Sequence, residues 1–245
     1  MAIESVCLLL GRSTIRDWLV DALKRMETDT GASVDLIVRT DTDGRPPETP
    51  LEHPFDAEIA HVRPESVDGR VAIPEATVAR ITEETDVVVQ NGVGILTGAI
   101  LSEPEYGVLS YHHGDIRRYR GVITHFWNYL NRDETGGVTL LQLDESLDGG
   151  DIAAERTVDL SDCLTWTALE RRKHDAGVPL VADAVANFAD PDFEPTHVPE
   201  SELGRMYYSS DVTLPVIAKY LLLETAQTTW TRVRKLRYLL GIYRG

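Results

Sequence analysis

Cysteine and lysine are the scarce residues of this 245-residue chain. Cys7 and Cys163 are the only two cysteines. Two distant thiols make neither a disulfide framework nor a metal cluster, which suits a reducing, cytoplasmic setting. Cys7 lies in an apolar run and reads as a small core residue. Lysine stands only at positions 24, 173, 219 and 235, and the other basic residues are arginines. Acids outnumber bases 40 to 24, for a net charge of −16. Such a composition suits a halophilic, high-salt cytoplasm and equally an ordinary acidic enzyme. On either reading the average surface repels phosphate backbones, so nucleic-acid binding is disfavoured. No run of about 18 apolar residues marks a transmembrane span. The segment MAIESVCLLLG has neither a basic region nor a small-residue cleavage site, so it is not read as a signal peptide. The absence of G-x-G-x-x-G leaves a dinucleotide site with weak support. There are no internal repeats.

What is present is a core-forming pattern, with 42% hydrophobic residues. Ser5–Leu10 reads as a buried strand closed by Gly11. Ser13 or Thr14 caps the helix expected over Ile15–Met26, and Val34–Val38 is the next strand. This β–α–β start predicts a parallel sheet covered by helices. The turn Gly11–Thr14 reads as structural or as an anion cradle at a helix N-terminus. Asp41–Gly69 is rich in proline and acid and reads as a long loop with one short strand at Ala57–Val62. A helix is expected over Pro74–Glu84 and a buried strand over Asp86–Gln90. The glycine-rich turn Asn91–Leu96 follows, and Thr97–Leu101 begins another helix. Gly107–His112 is a strand emerging at the same edge, where such sheets bind ligands. Ile152–Val158 reads as an exposed strand. Thr165–Phe188 has helical period, with Gly177 and Pro179 as splitting points. Ala189–Ser210 reads as a second loop. Leu214–Arg244 is helical in pattern and carries six bases against Glu224 alone.

The stretch Ser110–Asp151 concentrates the chemistry. His112 ends an apolar strand at the ligand-binding edge, which favours a proton-transfer role over a purely structural one. His113, alternating to the opposite face, is a supporting or surface residue. Asp148 sits in Leu147-Asp148-Gly149-Gly150, where glycines let the backbone turn tightly. An inward-pointing carboxylate and a plain Asp-Gly turn both fit that spacing.

Four motifs in order decide between these readings: Ser110-Tyr111-His112, Arg117-Arg118-Tyr119-Arg120-Gly121, Gly136-Gly137-Val138-Thr139 and Leu147-Asp148-Gly149-Gly150. Together with Trp127 in the aromatic segment, they resemble the folate-dependent formyltransferases: methionyl-tRNA formyltransferase, glycinamide ribonucleotide formyltransferase and the sugar N-formyltransferases. The resemblance is weaker back to Asp86 and fails after about residue 190. It implies an α/β, Rossmann-like formyltransferase fold, a mostly parallel twisted sheet with helices on both faces, and a helical C-terminal tail. It also implies a catalytic domain over 1–190 and a loop-and-helix extension over 191–245.

The resemblance implies a formyl donor, 10-formyltetrahydrofolate, and a small-molecule amine acceptor. His112 and Asp148 take the positions of the family's catalytic histidine and aspartate. Ser110 stands where the family carries asparagine. Losing one oxyanion donor costs on the order of 3–4 kcal/mol, so that departure bears on rate. Asn91, Gly94, Ile95, Leu96 and Asp144 are the expected pterin contacts. Arg118, Tyr119, Arg120 and His113 are the expected substrate contacts, and Arg117, in place of the family proline, makes that turn more basic. An amino-sugar is the acceptor left after elimination of tRNA and of a purine precursor. Hydrolysis of the formyl donor, and non-catalytic folate binding, stay open beside formyl transfer. The 214–244 helix is read as a packing element, or as a contact with a membrane surface or a second copy of the chain.

Overall fold

The computed structural model describes residues 3–40, 50–147 and 149–239, with only the backbone described at 227, 228 and 230–239. In chain order the elements are β1 (Ser5–Leu10), α1 (Asp17–Thr30), β2 (Ser33–Thr40), β3 (Glu58–Val62), β4 (Glu65–Val67), β5 (Arg70–Ala72), α2 (Glu75–Glu84), β6 (Val87–Asn91), β7 (Leu96–Thr97), β8 (Val108–His112), β9 (Tyr119–Gly121), α3 (Thr124–Asn131), β10 (Thr135–Gln142), β11 (Asp151–Asp159), α4 (Trp166–Gly177), α5 (Leu180–Phe188), β12 (Arg205–Tyr207) and α6 (Leu214–Leu239).

Seven strands form the central sheet in the order β11-β10-β8-β6-β1-β2-β3. The five from β8 to β3 are mutually parallel, and β10 and β11 extend the sheet antiparallel. The parallel strands are apolar nearly throughout because both faces are covered. Val6, Leu8, Leu10, Val87, Val89 and Leu109 pack with α1 and α5 on one face. Cys7, Leu9, Val88 and Val108 pack with α2 on the other. The winding reverses between β1 and β6, and ligands bind such sheets in the crevice at that switch point. The two loops leaving those strands touch: Gly11 N donates to Asn91 O at 3.0 Å, and a Cβ at Gly11 would stand 2.2 Å from Gly92 O.

Several expectations shift. α1 begins at Asp17, two residues beyond the expected start, so Ser13 and Thr14 miss the cap; Arg16 holds that position with no side-chain hydrogen bond. The helix expected at Thr97–Leu101 is a two-residue strand followed by one 3₁₀ turn. β11 is not an exposed strand: Ala153, Ala154 and Val158 are buried with α5, Ile152 is buried beside Ile116 and Val198, and residues 155–157 and Asp159 face water. The helical segment after Thr165 is split at Val178-Pro179, as its sequence predicts, with the Thr165 hydroxyl capping α4. Residues 41–49 of the first long loop lie outside the described residues.

The second long loop is not free surface. Its β12 pairs in parallel with β9, and Val122 N donates to Tyr207 O at 3.0 Å. Gly121 permits this contact: its φ is +82°, and a Cβ there would lie 2.0 Å from Tyr207 O. Tyr207 stacks on Trp127 at 4.3 Å. The first half of α6 continues the seal, with Val216, Tyr220 and Leu223 against Tyr119, Phe126, Trp127 and Leu130. Its other side leaves Leu214 (81%) and Leu222 (72%) exposed. The side chains of Arg232, Arg234, Lys235 and Arg237, and all of Arg244, lie outside the described residues.

Candidate functional site

Side chains alternate along β8. Val108, Ser110 and His112 therefore share one face, while Leu109, Tyr111 and then His113 take the other. His112 is buried, and its Nε2 lies 2.8 Å from the carbonyl oxygen of Tyr119. A carbonyl only accepts, so Nε2 carries the proton and donates. A neutral ring then has its acceptor lone pair at Nδ1, and a protonated ring donates from both nitrogens. The chain folds closely over this ring, because a Cβ at Gly114 would stand 2.7 Å from Nε2.

Ser110 lies two residues before His112 and in register with Gln90 of β6. Gln90 Nε2 donates to Ser110 Oγ at 2.5 Å. Gln90 Oε1 is buried without a partner, as is Asn91 Oδ1 one residue later. Gln90 was not among the sequence candidates. The one signal for it is its place as the first polar side chain after a buried run at the carboxyl edge of a parallel strand.

The turn after β6 and the segment after β10 lie side by side at this edge. Gly92 and Gly94, at φ +74° and +107°, bend the first, leaving Ile95 exposed and Leu96 buried. Asp144 lies on the second, with Oδ1 accepting from Ser146 N at 2.7 Å. Glu145 ties the two together, accepting from Gly98 N at 3.0 Å and Thr97 Oγ1, and pairing with Arg70 at 2.7 Å. Arg120 Nη2 donates to Leu147 O at 2.6 Å. The residue after Tyr119, whose carbonyl holds His112, thus anchors the residue before Asp148. Asp148 itself lies outside the described residues.

The remaining candidates are engaged in the protein. Arg118 pairs with Asp133 at 2.9 Å and donates to Thr135 O. The Tyr119 hydroxyl is buried and donates to Asp133 Oδ2 at 2.8 Å. His113 packs on the opposite face among Trp18, Tyr111 and His174, with ring centroids 4.6–5.8 Å away, and its Nδ1 is buried without a partner. Burial first, and the neighbouring His174 second, hold the His113 pKa well below the usual histidine range.

Comparison with known proteins bears on the family and the fold. The "Formyl transferase" family model matches residues 8–185. The methionyl-tRNA formyltransferase of Agathobacter rectalis is 32% identical over 106 residues, covering 43% of this chain and 34% of that protein. The chain thus spans about a third of that relative's length. A sugar N-formyltransferase from Shewanella shares the fold at a TM-score of 0.60 and 18% identity, over 90% of this chain and 87% of that one. HypX from Aquifex aeolicus, solved in complex with tetrahydrofolic acid, aligns at 0.53 and 19% over 93% of this chain and 34% of its own.

Proposed function

The chain belongs to the formyl transferase family, and from that premise we propose that it moves a formyl group from 10-formyltetrahydrofolate to a small-molecule amine, an amino-sugar among the candidate acceptors, in the cytoplasm. The observation that carries this reading is the His112 imidazole, fixed by Tyr119 O, on the same face of β8 as a Ser110 hydroxyl held by Gln90. The pterin is assigned to the sheet edge between Asn91–Leu96 and Asp144–Ser146. This edge offers apolar contact at Ile95, the expected contact at Leu96 being lost to the core, and the unpartnered amide oxygens of Gln90 and Asn91. When bound, the donor supplies the electrophilic formyl carbon.

The amine nitrogen forms the new C–N bond while the bond from the formyl carbon to the donor's N10 breaks. One proton leaves the amine and one arrives at N10. His112, oriented by its Nε2–H to Tyr119 O, presents Nδ1 to charge developing on the formyl oxygen. Ser110, with Oγ accepting from Gln90, has its own O–H left to donate to the same oxygen. Asp148 is assigned the carboxylate role that keeps the imidazole cationic; the Arg120 contact to Leu147 O supports it. Arg118, Tyr119 and Arg120 shape the turn around His112, and His113 backs it from the opposite face.

Release of tetrahydrofolate from the donor, followed spectroscopically with and without a panel of amino-sugars, tests the reading. Amine-dependent release supports transfer. Amine-independent release indicates a hydrolase, and binding without turnover a non-catalytic member. His112→Ala is expected to lower turnover by roughly 10²–10⁴-fold. For the α6 face bearing Leu214 and Leu222 we assign a contact with a membrane surface or a second copy. Replacing both leucines by glutamine is expected to reduce vesicle binding or self-association, and a variant unchanged in both assays removes that assignment.

A further inference from the structure

Lys173 is fully buried, at 0% exposure, and the proposed chemistry makes no use of it. A buried ammonium must be enclosed by acceptors or lose its proton. Its Nζ donates to the carbonyl oxygen of His113 at 2.9 Å and to Asn128 Oδ1. Asn128 relays the contact, with Nδ2 donating to Asp133 Oδ2 at 2.7 Å. The Tyr119 hydroxyl donates to that same oxygen, and the Tyr119 carbonyl accepts from His112. Asn131 Nδ2 holds the Tyr119 hydroxyl from a further side at 2.8 Å.

Two separate paths therefore run from His112 to one ammonium. The first follows the main chain by one residue to the His113 carbonyl. The second leaves the imidazole through Tyr119 and passes Asp133 and Asn128. The sequence makes room for this arrangement at β10, where a Cβ on Gly136 would lie 2.9 Å from Lys173 Cε, and one on Gly137 would lie 2.8 Å from Asp115 Cβ. Burial pulls the lysine pKa down to about 7; Asp133 and Asp115 oppose that pull and Arg118 adds to it. His113 and His125, which sense the charge of Lys173, and His174 beside them have pKa values lowered chiefly by burial.

We propose that Lys173 is a positioning residue for His112, fixing the tautomer and direction of its imidazole through Tyr119 and the His113 carbonyl. A side chain on α4, sixty-one positions along the chain, thereby sets which ring nitrogen is held by Tyr119 O and which is left to the substrate. The kinetic consequence rests on the reading of His112 given above, whereas the geometric claim concerns the folded protein alone.

Nitrogen-15 NMR of the histidine rings in the full chain decides it. At a pH where the ring is neutral, the wild type is expected to show His112 with a slowly exchanging Nε2 proton and a single tautomer. In Lys173→Met, whose side chain fills the same space, the proton is expected to exchange at least about ten-fold faster and both tautomers to appear. Arg172→Met, on the exposed side of the same helix, is expected to leave the His112 signals unchanged. If Lys173→Met fails to fold, Tyr119→Phe removes only the hydroxyl from the second path, and the same loss of the single tautomer is expected there. An unchanged His112 spectrum in whichever of these two variants folds overturns the proposal. Where the wild type transfers formyl groups, kcat of Lys173→Met is expected to fall roughly 10- to 100-fold with little change in KM. Where it does not, the reading of His112 fails and the NMR result still stands by itself.

Discussion

Gln90 Nε2 donates to Ser110 Oγ at 2.5 Å across the register that pairs β6 with β8. Two short polar groups on adjacent strands thus meet beside His112, where the family pattern has one asparagine. An amide–hydroxyl pair has more donors than this single bond uses, so the pair keeps an N–H or O–H for a ligand whichever way the amide is turned. Gln90→Leu leaves the serine unoriented. It is expected to lower kcat by about ten-fold or more with KM little changed, and Ser110→Ala is expected to do the same. The double variant is expected to lose no more than the worse single one, because the two act as a unit. Additive losses, read from steady-state formyl transfer, would show that the residues act separately.

Gly121 carries the contact that closes the second long loop onto β9. At φ +82° a side chain is strained, and a Cβ at this position would fall on Tyr207 O. Gly121→Ala is expected to separate β12 from β9 and cost about 3 kcal/mol or more, from strain and lost packing together. Thermal unfolding measures the cost. Faster proteolysis within residues 191–212, with the rest of the domain protected, locates it.

Much of the architecture is legible in the chain because its signals are local. SVCLLL and the DVVVQ run are apolar on both faces, as central parallel strands must be, and glycines follow both. The His112–Asp148 stretch is legible for another reason, since four short motifs occur there in order. What local pattern does not carry is pairing. β12 is three residues inside a proline- and acid-rich segment, and it becomes a strand only because β9 offers it an edge. Lys173 reads as an ordinary polar position on an amphipathic helix; its burial depends on a glycine in β10. Gln90 gains its role from the strand beside it. Register across a sheet and the space left by a missing side chain are tertiary facts, and they decide these three residues.

The histidines packed against Trp18 and Trp166 give the fold an acid limit. His125 has its pKa lowered to about 4, mainly by burial and then by the charge of Lys173, and His113 and His174 are shifted the same way. Glu170 Oε1 stands 3.6 Å from His125 Nε2, beyond hydrogen-bond reach, and does not offset that burial. A group whose folded pKa lies below its unfolded value binds its proton more readily when the chain is unfolded. The histidines' contribution to stability is therefore complete above pH 6.5 and is lost as pH falls from 6.5 toward 4, on the order of 3 kcal/mol from His125 alone. His125→Gln is expected to flatten that part of the stability–pH curve, measured by urea unfolding between pH 4 and 7. An unchanged slope would place the acid sensitivity elsewhere.

Lys173 adds a second rise to the same curve, in the alkaline range. Its folded pKa of about 7 lies below the 10.5 of an exposed lysine, because burial disfavours the ammonium. Between those values the unfolded chain holds a proton that the folded chain has released, so stability rises with pH across that window. Below pH 7 both states are charged and the cost of burying the ammonium is constant. Lys173→Met has no such group. The stability of the wild type minus that of Lys173→Met is therefore expected to be flat below pH 7 and to climb toward pH 10, by on the order of 4 kcal/mol. Subtracting the two unfolding curves cancels the other titrating groups common to both. A difference that stays level from pH 6 to 10 would mean that the acceptors around Nζ, Asn128 Oδ1 and the His113 carbonyl, fully compensate the burial, and that the ammonium persists in the folded protein at alkaline pH.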